Sequence, residues 1–259
     1  MKQNDLFRQI LTLCLLLALI SCSSNEQHTE QIQAENPPAE GFNTAVSDER
    51  AIEIADRVME AMGGRNAWDA TTYLVWNFFG RRKHFWNKST GDIRIESIGD
   101  SSIYLLNIHS MEGQVSRFGQ IEENSDTLKM LLERGKSLWI NDAYWLVMPF
   151  KLKDSGVTLK YMGIDTMLNG NNAEVLELTF EDVGKTPENK YLVYVDQKDN
   201  LIGQWDFYAN AKDTIPRFQI PWADYAPHGQ ILLSGNRGKY ALTDISVPDS
   251  LAVEVFTTF

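Results

Sequence analysis

The clearest chemical signal in this sequence is a cysteine near the start of the chain. Cys22 completes the motif Leu-Ile-Ser-Cys and follows an apolar run from Ile10 to Ile20, which itself follows a short basic region. This order of basic region, short apolar run and small residues is typical of a secretory signal. The run is too short to span a bilayer, which takes about 20 apolar residues. We therefore predict that residues 1–21 are a lipoprotein signal peptide and that Cys22 carries acyl chains such as palmitate.

Two alternatives for this segment stay open at the sequence level. The apolar run could be a buried helix, or part of a secretory signal that is cleaved elsewhere. If cleavage occurs before Cys22, the only other cysteine, Cys14, is removed with the signal. The mature protein then has no intramolecular disulfide, and an envelope protein of this length must be stabilised by its hydrophobic core.

The charge balance excludes one broad class of function. The chain has 24 Lys and Arg against 35 Asp and Glu, a formal net charge of −11. So acidic a surface repels nucleic acids and anionic lipid head groups. We therefore predict no nucleic-acid partner. Attachment to a membrane must then come from the acyl chains, and two or more chains are needed for stable anchoring.

The residues that commonly bind metals do not form a recognisable motif. His84, His109 and His228 are widely separated, and the pattern places them in two strands and a loop. Residues 196–200 resemble the start of a calcium-binding loop. They lack the glycine expected at position six and the acid expected at position twelve. We predict no metal site and no cofactor.

Catalytic signatures are not found in the sequence either. It contains no Gly-x-Ser-x-Gly nucleophile motif, no phosphate-binding Gly-x-x-x-x-Gly-Lys and no His-Glu-x-x-His. Glu96, Glu177 and Asp206 alternate with apolar residues, so we expect them to face solvent. We predict that the protein is not an enzyme and has no catalytic residues. A polar cluster converging inside the fold would favour an enzyme instead.

Two regions follow the predicted signal peptide. Residues 22–47 comprise the acylated cysteine and a polar stretch with few apolar residues, which predicts a disordered tether. Residues 48–259 predict a single folded domain. Its first element is an amphipathic helix from Asp48 to Met62, which ends at the glycine pair 63–64.

Short segments rich in β-branched and aromatic residues then recur about every ten residues, with turn residues between them. This spacing predicts an antiparallel meander. The middle of the chain predicts a helix over 126–134, with Gly135 as its stop, and an apolar segment over 139–150. Residues 217–225 and 253–258 are predicted as single strands. The predicted fold is mainly β (α+β): a half-open antiparallel barrel of about eleven strands, with helices covering or plugging it.

A barrel of this kind can enclose a hydrophobic cavity. Apolar residues on alternating strand positions are candidates for its lining: Trp76, Phe78, Phe85, Ile93, Ile95, Tyr104, Leu106, Leu176, Leu178, Phe180, Trp205 and Phe207. Side chains of the central segments are candidates for a lid: Leu128, Leu131, Leu132 and Trp145. Periodicity cannot distinguish a cavity from a packed core, so both stay open.

Several motifs carry a family resemblance. They are Gly63-Gly64 with Trp68, His84-Phe85-Trp86 with residues 90–94, and the segments 144–152, 191–196 and 222–225. In these motifs the chain resembles the DUF6503-like lipoproteins of Bacteroidetes-type bacteria, a group without an assigned function. It is similar in organisation to the LolA/LolB lipoprotein-carrier fold. The resemblance implies a half-open barrel capped by helices, with an apolar cavity for acyl chains.

Two functions fit these features. The first is a tethered envelope lipoprotein, at the outer membrane, that binds a lipid or the acyl chains of a lipoprotein as an acceptor or sensor. The second is an interaction or scaffold lipoprotein with a filled core and no small ligand. A tethered protein cannot diffuse as a shuttle. The sequence leaves open the ligand, the leaflet, protein partners and the oligomeric state.

Overall fold

The computed structural model describes residues 36–181 and 186–259 of the chain. The predicted signal peptide and Cys22 lie outside the described residues. Within them, no helix combines the length and the apolar character needed to cross a membrane. The helices are α1 (Glu49–Ala61), α2 (Arg65–Ala70), α3 (Ser125–Val147) and α4 (Glu254–Thr257), with 3-10 turns at Thr44–Val46 and Met148–Lys151.

Strands make up most of the described chain. In order they are β1 (Tyr73–Phe78), β2 (Arg82–Asn87), β3 (Asp92–Ser97), β4 (Ile103–Asn107), β5 (Gly113–Arg117), β6 (Gln120–Ile121), β7 (Val157–Thr166), β8 (Asn172–Phe180), β9 (Lys190–Asp196), β10 (Ile202–Tyr208), β11 (Phe218–Pro221), β12 (Ala223–His228), β13 (Ile231–Arg237) and β14 (Tyr240–Ser246).

These strands form two antiparallel sheets. The larger has nine strands in the order β12-β13-β14-β1-β2-β3-β4-β5-β6, and the smaller has five in the order β11-β10-β9-β8-β7. The prediction of a mainly antiparallel β fold with a few helices is confirmed. The half-open barrel of about eleven strands is confirmed only loosely, because the fourteen described strands form two sheets that do not close into a barrel.

The chain returns from the smaller sheet to the larger at a single residue. Residues 217–225 were predicted as one strand, but Trp222 separates β11 of the smaller sheet from β12 of the larger. Its side chain is buried in the core, and its backbone N–H donates to the carbonyl of Gly203 at 2.9 Å. A buried tryptophan at this corner lets one stretch of chain serve both sheets.

Helix α1 forms as its pattern predicts. Ala51, Ile54, Ala55, Val58 and Met59 form its buried face, since residues three and four apart share one side of a helix. A buried carboxylate, Glu174 of β8, anchors the helix to the smaller sheet. It accepts from the guanidinium of Arg50 at 2.6 Å and also pairs with Arg57.

The predicted boundary between tether and domain is too late in the chain. The described part of the predicted tether, residues 36–47, lies against the folded domain. Phe42 is buried in the core, and the N–H of Asn43 donates to the carbonyl of Val157 at 3.1 Å. Lys153 also pairs with the carbonyl of Asn36. This segment is polar in composition, yet its backbone groups find partners along residues 153–157, up to the start of β7.

The two predicted central segments belong to one helix. α3 begins after Asn124, whose side chain accepts from the N–H of Thr127 at 2.9 Å, and it runs without interruption to Val147. Gly135 does not end it. A Cβ atom at this position would lie 3.0 Å from side-chain atoms of both Tyr104 and Leu106. The glycine is therefore explained by the close approach of the helix to β4.

The C-terminal segment is helical, so the predicted strand over 253–258 is wrong. Residues of α4 lie against the outer face of β3 and β4. The guanidinium of Arg94 donates to the carbonyls of Val255 at 3.2 Å and Thr258 at 2.6 Å. These carbonyls accept from an arginine rather than from a neighbouring strand. The β-branched residues of 253–258, which favoured a strand in the sequence, therefore do not decide the conformation of this segment.

Candidate ligand-binding cleft

A cleft of about 400 Å³ lies between α3 and the five-stranded sheet. Its volume falls within the range of about 300–1,000 Å³ that is usual for ligand pockets. The lining residues are Ser137, Ile140, Asn141, Tyr144, Trp145, Phe180, Thr186, Asn189, Tyr191, Trp205, Phe207 and Phe218. Most of this surface is aromatic.

One wall of the cleft is a single face of α3. Ser137, Ile140, Asn141, Tyr144 and Trp145 follow one another at alternating steps of three and one residues. This spacing places all five side chains on one side of a helix. This part of α3 has an aromatic face on the cleft and a second, buried face on its opposite side. Because both faces need apolar residues, the segment 139–150 appears uniformly apolar in the sequence.

The other wall is built by cross-strand neighbours. Phe207 of β10 lies opposite Phe218 of β11 and Tyr191 of β9, so the three rings form a row across the sheet. Trp205 lies two residues before Phe207, on the same face of β10. Its ring stacks on Tyr191 at a centroid distance of 5.0 Å.

The two walls meet through an edge-to-face contact. The ring of Trp145 meets that of Trp205 at 5.0 Å with an interplanar angle of 80°. Such pairs contribute about 0.5–1.5 kcal/mol beyond their buried area. The floor of the cleft is therefore a fixed surface of packed rings.

The cleft carries no formal charge on its described lining residues. Its polar groups are Ser137, Asn141, Thr186, Asn189 and the two phenols. Burial raises the pKa of Tyr144 well above its ordinary value and raises the pKa of Tyr191 to about 12. Because burial disfavours the charged form of a group, these phenols stay neutral at physiological pH.

The opposite face of α3 makes a buried polar cluster with β2. Asp142 is fully buried and accepts from His84 Nε2 at 2.7 Å and from Arg82 Nε at 2.5 Å. Burial alone would raise the pKa of Asp142, but the hydrogen bonds from His84 and Arg82 outweigh it and lower that pKa. Burial lowers the pKa of His84, so its imidazole is neutral at pH 7.

The two central members of this cluster are shielded from solvent and from the cleft. His84 and Asp142 are both fully buried, and the imidazole stacks on the indole of Trp76 at 4.5 Å. Neither residue belongs to the lining of the cleft. The cluster instead attaches the middle of α3 to the nine-stranded sheet. The sequence carried a signal for it, because a lone aspartate within the most apolar stretch must find a buried partner.

A buried cation holds the C-terminal end of α3. Arg237 of β13 is fully buried, and its guanidinium donates to the carbonyl of Trp145 at 2.7 Å. It also lies 3.4 Å from the ring centroid of Trp222. A cation at a helix C-terminus complements the helix dipole. Arg237 thereby fixes the turn that carries Trp145 into the cleft.

One carboxylate predicted to face solvent is buried instead. Asp206 is 2% exposed. It accepts from the hydroxyl of Tyr194 at 3.1 Å, from Gln204 Nε2 at 2.8 Å and from Gln219 Nε2 at 2.7 Å. These neutral donors satisfy it on the face of β10 opposite to the cleft.

The predicted lining residues divide into three groups. Phe180, Trp205 and Phe207 line the cleft. Eight others are buried in the packed core: Trp76, Phe78, Ile93, Ile95, Tyr104, Leu106, Leu176 and Leu178. Six of these eight lie on the nine-stranded sheet, so its inner face covers a filled interior, and Leu176 and Leu178 lie on β8 of the smaller sheet. A second hollow, of about 370 Å³, lies beside β3 to β5 and α4.

Phe85 lies on the wrong face of its strand for the predicted role. His84 and Trp86 are buried, whereas Phe85 between them is half-buried on the outer face. The ammonium of Lys83 lies 5.1 Å from the centroid of its ring. Successive side chains of a strand point to opposite faces, and the tryptophan rather than the phenylalanine takes the inner face.

Of the predicted lid residues, only Trp145 reaches the cleft. Leu131 and Leu132 are buried within the core, and Leu128 packs against it. They lie on the part of α3 that is packed on the larger sheet. Sequence reasoning missed Ile140, Tyr144, Tyr191 and Phe218, because their neighbours in the cleft are distant in sequence.

The chain was compared with known proteins. No family model matches the sequence, and no curated protein matches it. A DUF1329 family protein from Desulfovibrio piger is similar in structure, with a TM-score of 0.45 and 12% identity over 80% of this chain and 96% of that chain. A putative outer membrane lipoprotein-sorting protein domain from Vibrio parahaemolyticus gives 0.41 and 9% over 80% and 96%.

A LolA superfamily protein from Nitrosomonas europaea gives a TM-score of 0.32 and 12% identity over 80% of this chain and 97% of that chain. At these scores the likeness carries no argument about a ligand. Membership of the DUF6503-like group stays a prediction.

Proposed function

We propose that the protein is a tethered lipoprotein of the bacterial envelope that holds an apolar ligand in the cleft beside α3. The ligand class is an acyl chain, from a lipid or from another lipoprotein. One observation carries the proposal: a volume of about 400 Å³ persists between walls of aromatic side chains. A chain that moves from water into this space gains about 25 cal/mol per Å² of apolar surface buried.

The predicted acylation of Cys22 supports an acceptor or sensor role. An anchored domain stays at one membrane, so it would receive a ligand or report its presence rather than carry it across the periplasm. We place the protein at the outer membrane. If the anchor is the acylated cysteine, Cys22→Ala behind a signal peptide whose cleavage does not need this cysteine should move the protein from the membrane fraction to the soluble fraction of the cell envelope. Continued membrane association of the variant would contradict the proposed anchor.

Ligand binding can be tested through the tryptophans of the cleft. Trp145 and Trp205 both line it, so an acyl glycerol with a brominated chain should quench their fluorescence on binding. Residues 22–259 with Cys22→Ala, the mature chain without its predicted signal peptide, supply soluble protein for titration. Saturable quenching is expected, and its absence would contradict the proposal.

A cleft-filling variant locates the binding site. Ser137 lies on the cleft face of α3, and Ser137→Phe places a ring in the open volume. We expect at least a tenfold loss of affinity, while Ser137→Ala, the matched control, should bind like the parent. Unchanged binding by Ser137→Phe would place the ligand elsewhere.

The filled interior of the larger sheet favours a second candidate, an envelope scaffold that binds proteins through its outer surface. Eight of the predicted lining residues pack in the core away from the cleft, and six of them lie on the larger sheet. The same titration separates the two proposals, because a scaffold without a ligand site gives no saturable quenching with any acyl compound.

A further inference from the structure

The charge distribution of the cleft limits which lipids it can hold. The described lining residues comprise aromatic rings, one isoleucine, two amides and two hydroxyl residues, and none is acidic or basic. An anionic head group would therefore meet no cation among the described lining residues, in a chain whose net charge is −11.

The side-chain amides of the cleft point to the same selectivity. Asn141 Nδ2 donates to the buried carboxylate of Asp142 at 2.9 Å, and Asn189 Nδ2 donates to Thr186 Oγ1 at 2.5 Å. Each amide thus has one of its two N–H groups bonded within the protein, which sets its orientation, and its carbonyl oxygen can accept from a ligand. A ligand hydroxyl or amide N–H fits a carbonyl acceptor, whereas a carboxylate or phosphate oxygen is repelled by it.

The surroundings of the cleft disfavour negative charge in general. Tyr144 and Tyr191 are both desolvated, and burial shifts the pKa of each toward the neutral phenol. A ligand carboxylate placed beside them would lose the same hydration. Burying a charge without a partner is costly, and no described lining residue supplies a cation.

We propose, building on the acyl-binding function above, that the cleft selects uncharged lipids whose head groups offer a hydroxyl or an amide N–H, and discriminates against fatty acids and anionic phospholipids. The ligand class is then acyl glycerols and acyl amides. The apolar chain provides the affinity, and the uncharged polar groups of the lining provide the selectivity.

Two probes with the same chain test this selectivity. Oleoyl ethanolamide is neutral and carries both a hydroxyl and an amide N–H, whereas oleate is anionic at pH 8. Each would displace a fluorescent acyl glycerol from residues 22–259 carrying Cys22→Ala. We expect the amide to bind at least tenfold more tightly than oleate. Equal or tighter binding of oleate would overturn the selectivity while leaving the acyl-binding function intact.

An engineered cation provides the complementary experiment. Asn141→Lys adds an ammonium to the cleft and removes an amide acceptor, so the preference for the ethanolamide should shrink or reverse. Met130→Lys adds the same charge at an exposed position of α3 outside the lining, and it should leave the preference unchanged. An equal shift in both variants would show that net charge, rather than the cleft, sets the preference. Failure of both probes to bind the parent protein would overturn the acyl-binding function itself.

Discussion

The two sheets of this protein use the same helix in opposite ways. The nine-stranded sheet packs against one face of α3 and leaves a filled core. The five-stranded sheet faces the other side of that helix across an open cleft. The filled side contains Gly135, Trp139 and Asp142, whereas the open side contains Ser137, Tyr144 and Trp145.

The difference follows from the size and polarity of the side chains at each contact. On the filled side a glycine allows α3 to approach β4 closely, and the buried pair of Asp142 with Arg82 fixes the helix to β2. On the open side, large rings stand on both walls. Tyr144 and Tyr191, with centroids 5.6 Å apart, pack on each other and hold the backbones apart. Bulky rings on both walls therefore leave space that the opposite side does not have.

The largest effect should come from the buried ion pair. Asp142→Ala leaves the guanidinium of Arg82 without its carboxylate and the imidazole of His84 without its partner. Removing one member of a buried pair costs about 3–5 kcal/mol in the free energy of unfolding, which urea denaturation can measure. Glu133→Ala removes an exposed carboxylate from the same helix and should change stability by less than about 0.5 kcal/mol. A similar loss in both variants would show that the cluster does not anchor the helix.

A truncation on each side of the helix tests whether one interior is filled and the other open. Trp86 is buried and meets Trp139 edge to face at 5.1 Å. Trp86→Ala should cost about 3–5 kcal/mol, as is usual for large aromatic truncations in a core. Phe207 borders the cleft and is half-buried, so Phe207→Ala should cost roughly 1–2 kcal/mol, below the core value. Equal losses would mean that the cleft wall is as tightly packed as the core.

Adding volume tests the same comparison in the opposite direction. Gly135→Val forces side-chain atoms against Tyr104 and Leu106, where a Cβ atom alone would lie 3.0 Å from each. Overpacking of this kind costs about 1–3 kcal/mol. Ser137→Val, two residues further on, faces the cleft and should change the free energy of unfolding by less than about 1 kcal/mol. If Ser137→Val were as destabilising as Gly135→Val, the space beside it would not be available to a ligand.

The local sequence pattern predicted those helices and strands whose conformation depends on residues close together in the chain. The amphipathic helix α1 and most strands follow from periodicity and turn residues, because one buried face fixes the alternation. The division into two sheets did not follow, since it depends on Trp222 at a corner within an otherwise strand-like segment. Gly135 looked like a helix stop because its packing partners, Tyr104 and Leu106, are distant in sequence.

The candidate site was predictable only in part for the same reason. Phe180, Trp205 and Phe207 have the alternation of an inner face, and they do line the cleft. The same alternation placed eight core residues in the predicted lining, because periodicity reports which face is buried but not what lies opposite. The helical wall was missed, since α3 has buried residues on two faces and its segment appears uniformly apolar.

The smallest effect should be a pH dependence of the free energy of unfolding, which reports how far water is excluded from the open side of α3. Burial raises the pKa of Tyr191 to about 12, although a hydrogen bond from Asn189 opposes the shift. The unfolded-state value is about 10, so between pH 10 and 12 the folded state retains a proton that the unfolded state has lost. Stability from this group is therefore present below pH 10 and is lost as the pH rises toward 12.

Tyr191→Phe should accordingly reduce the decline in unfolding free energy over that pH range and remove one late-titrating phenol from the absorbance titration. Part of the decline should persist, because burial also raises the pKa values of Tyr144 and Tyr225. An unchanged decline in the variant would mean that water reaches the wall around Tyr191 freely. The open side would then differ from the filled side in hydration as well as in packing, and the argument for selecting neutral ligands would lose the low-polarity surroundings on which it depends.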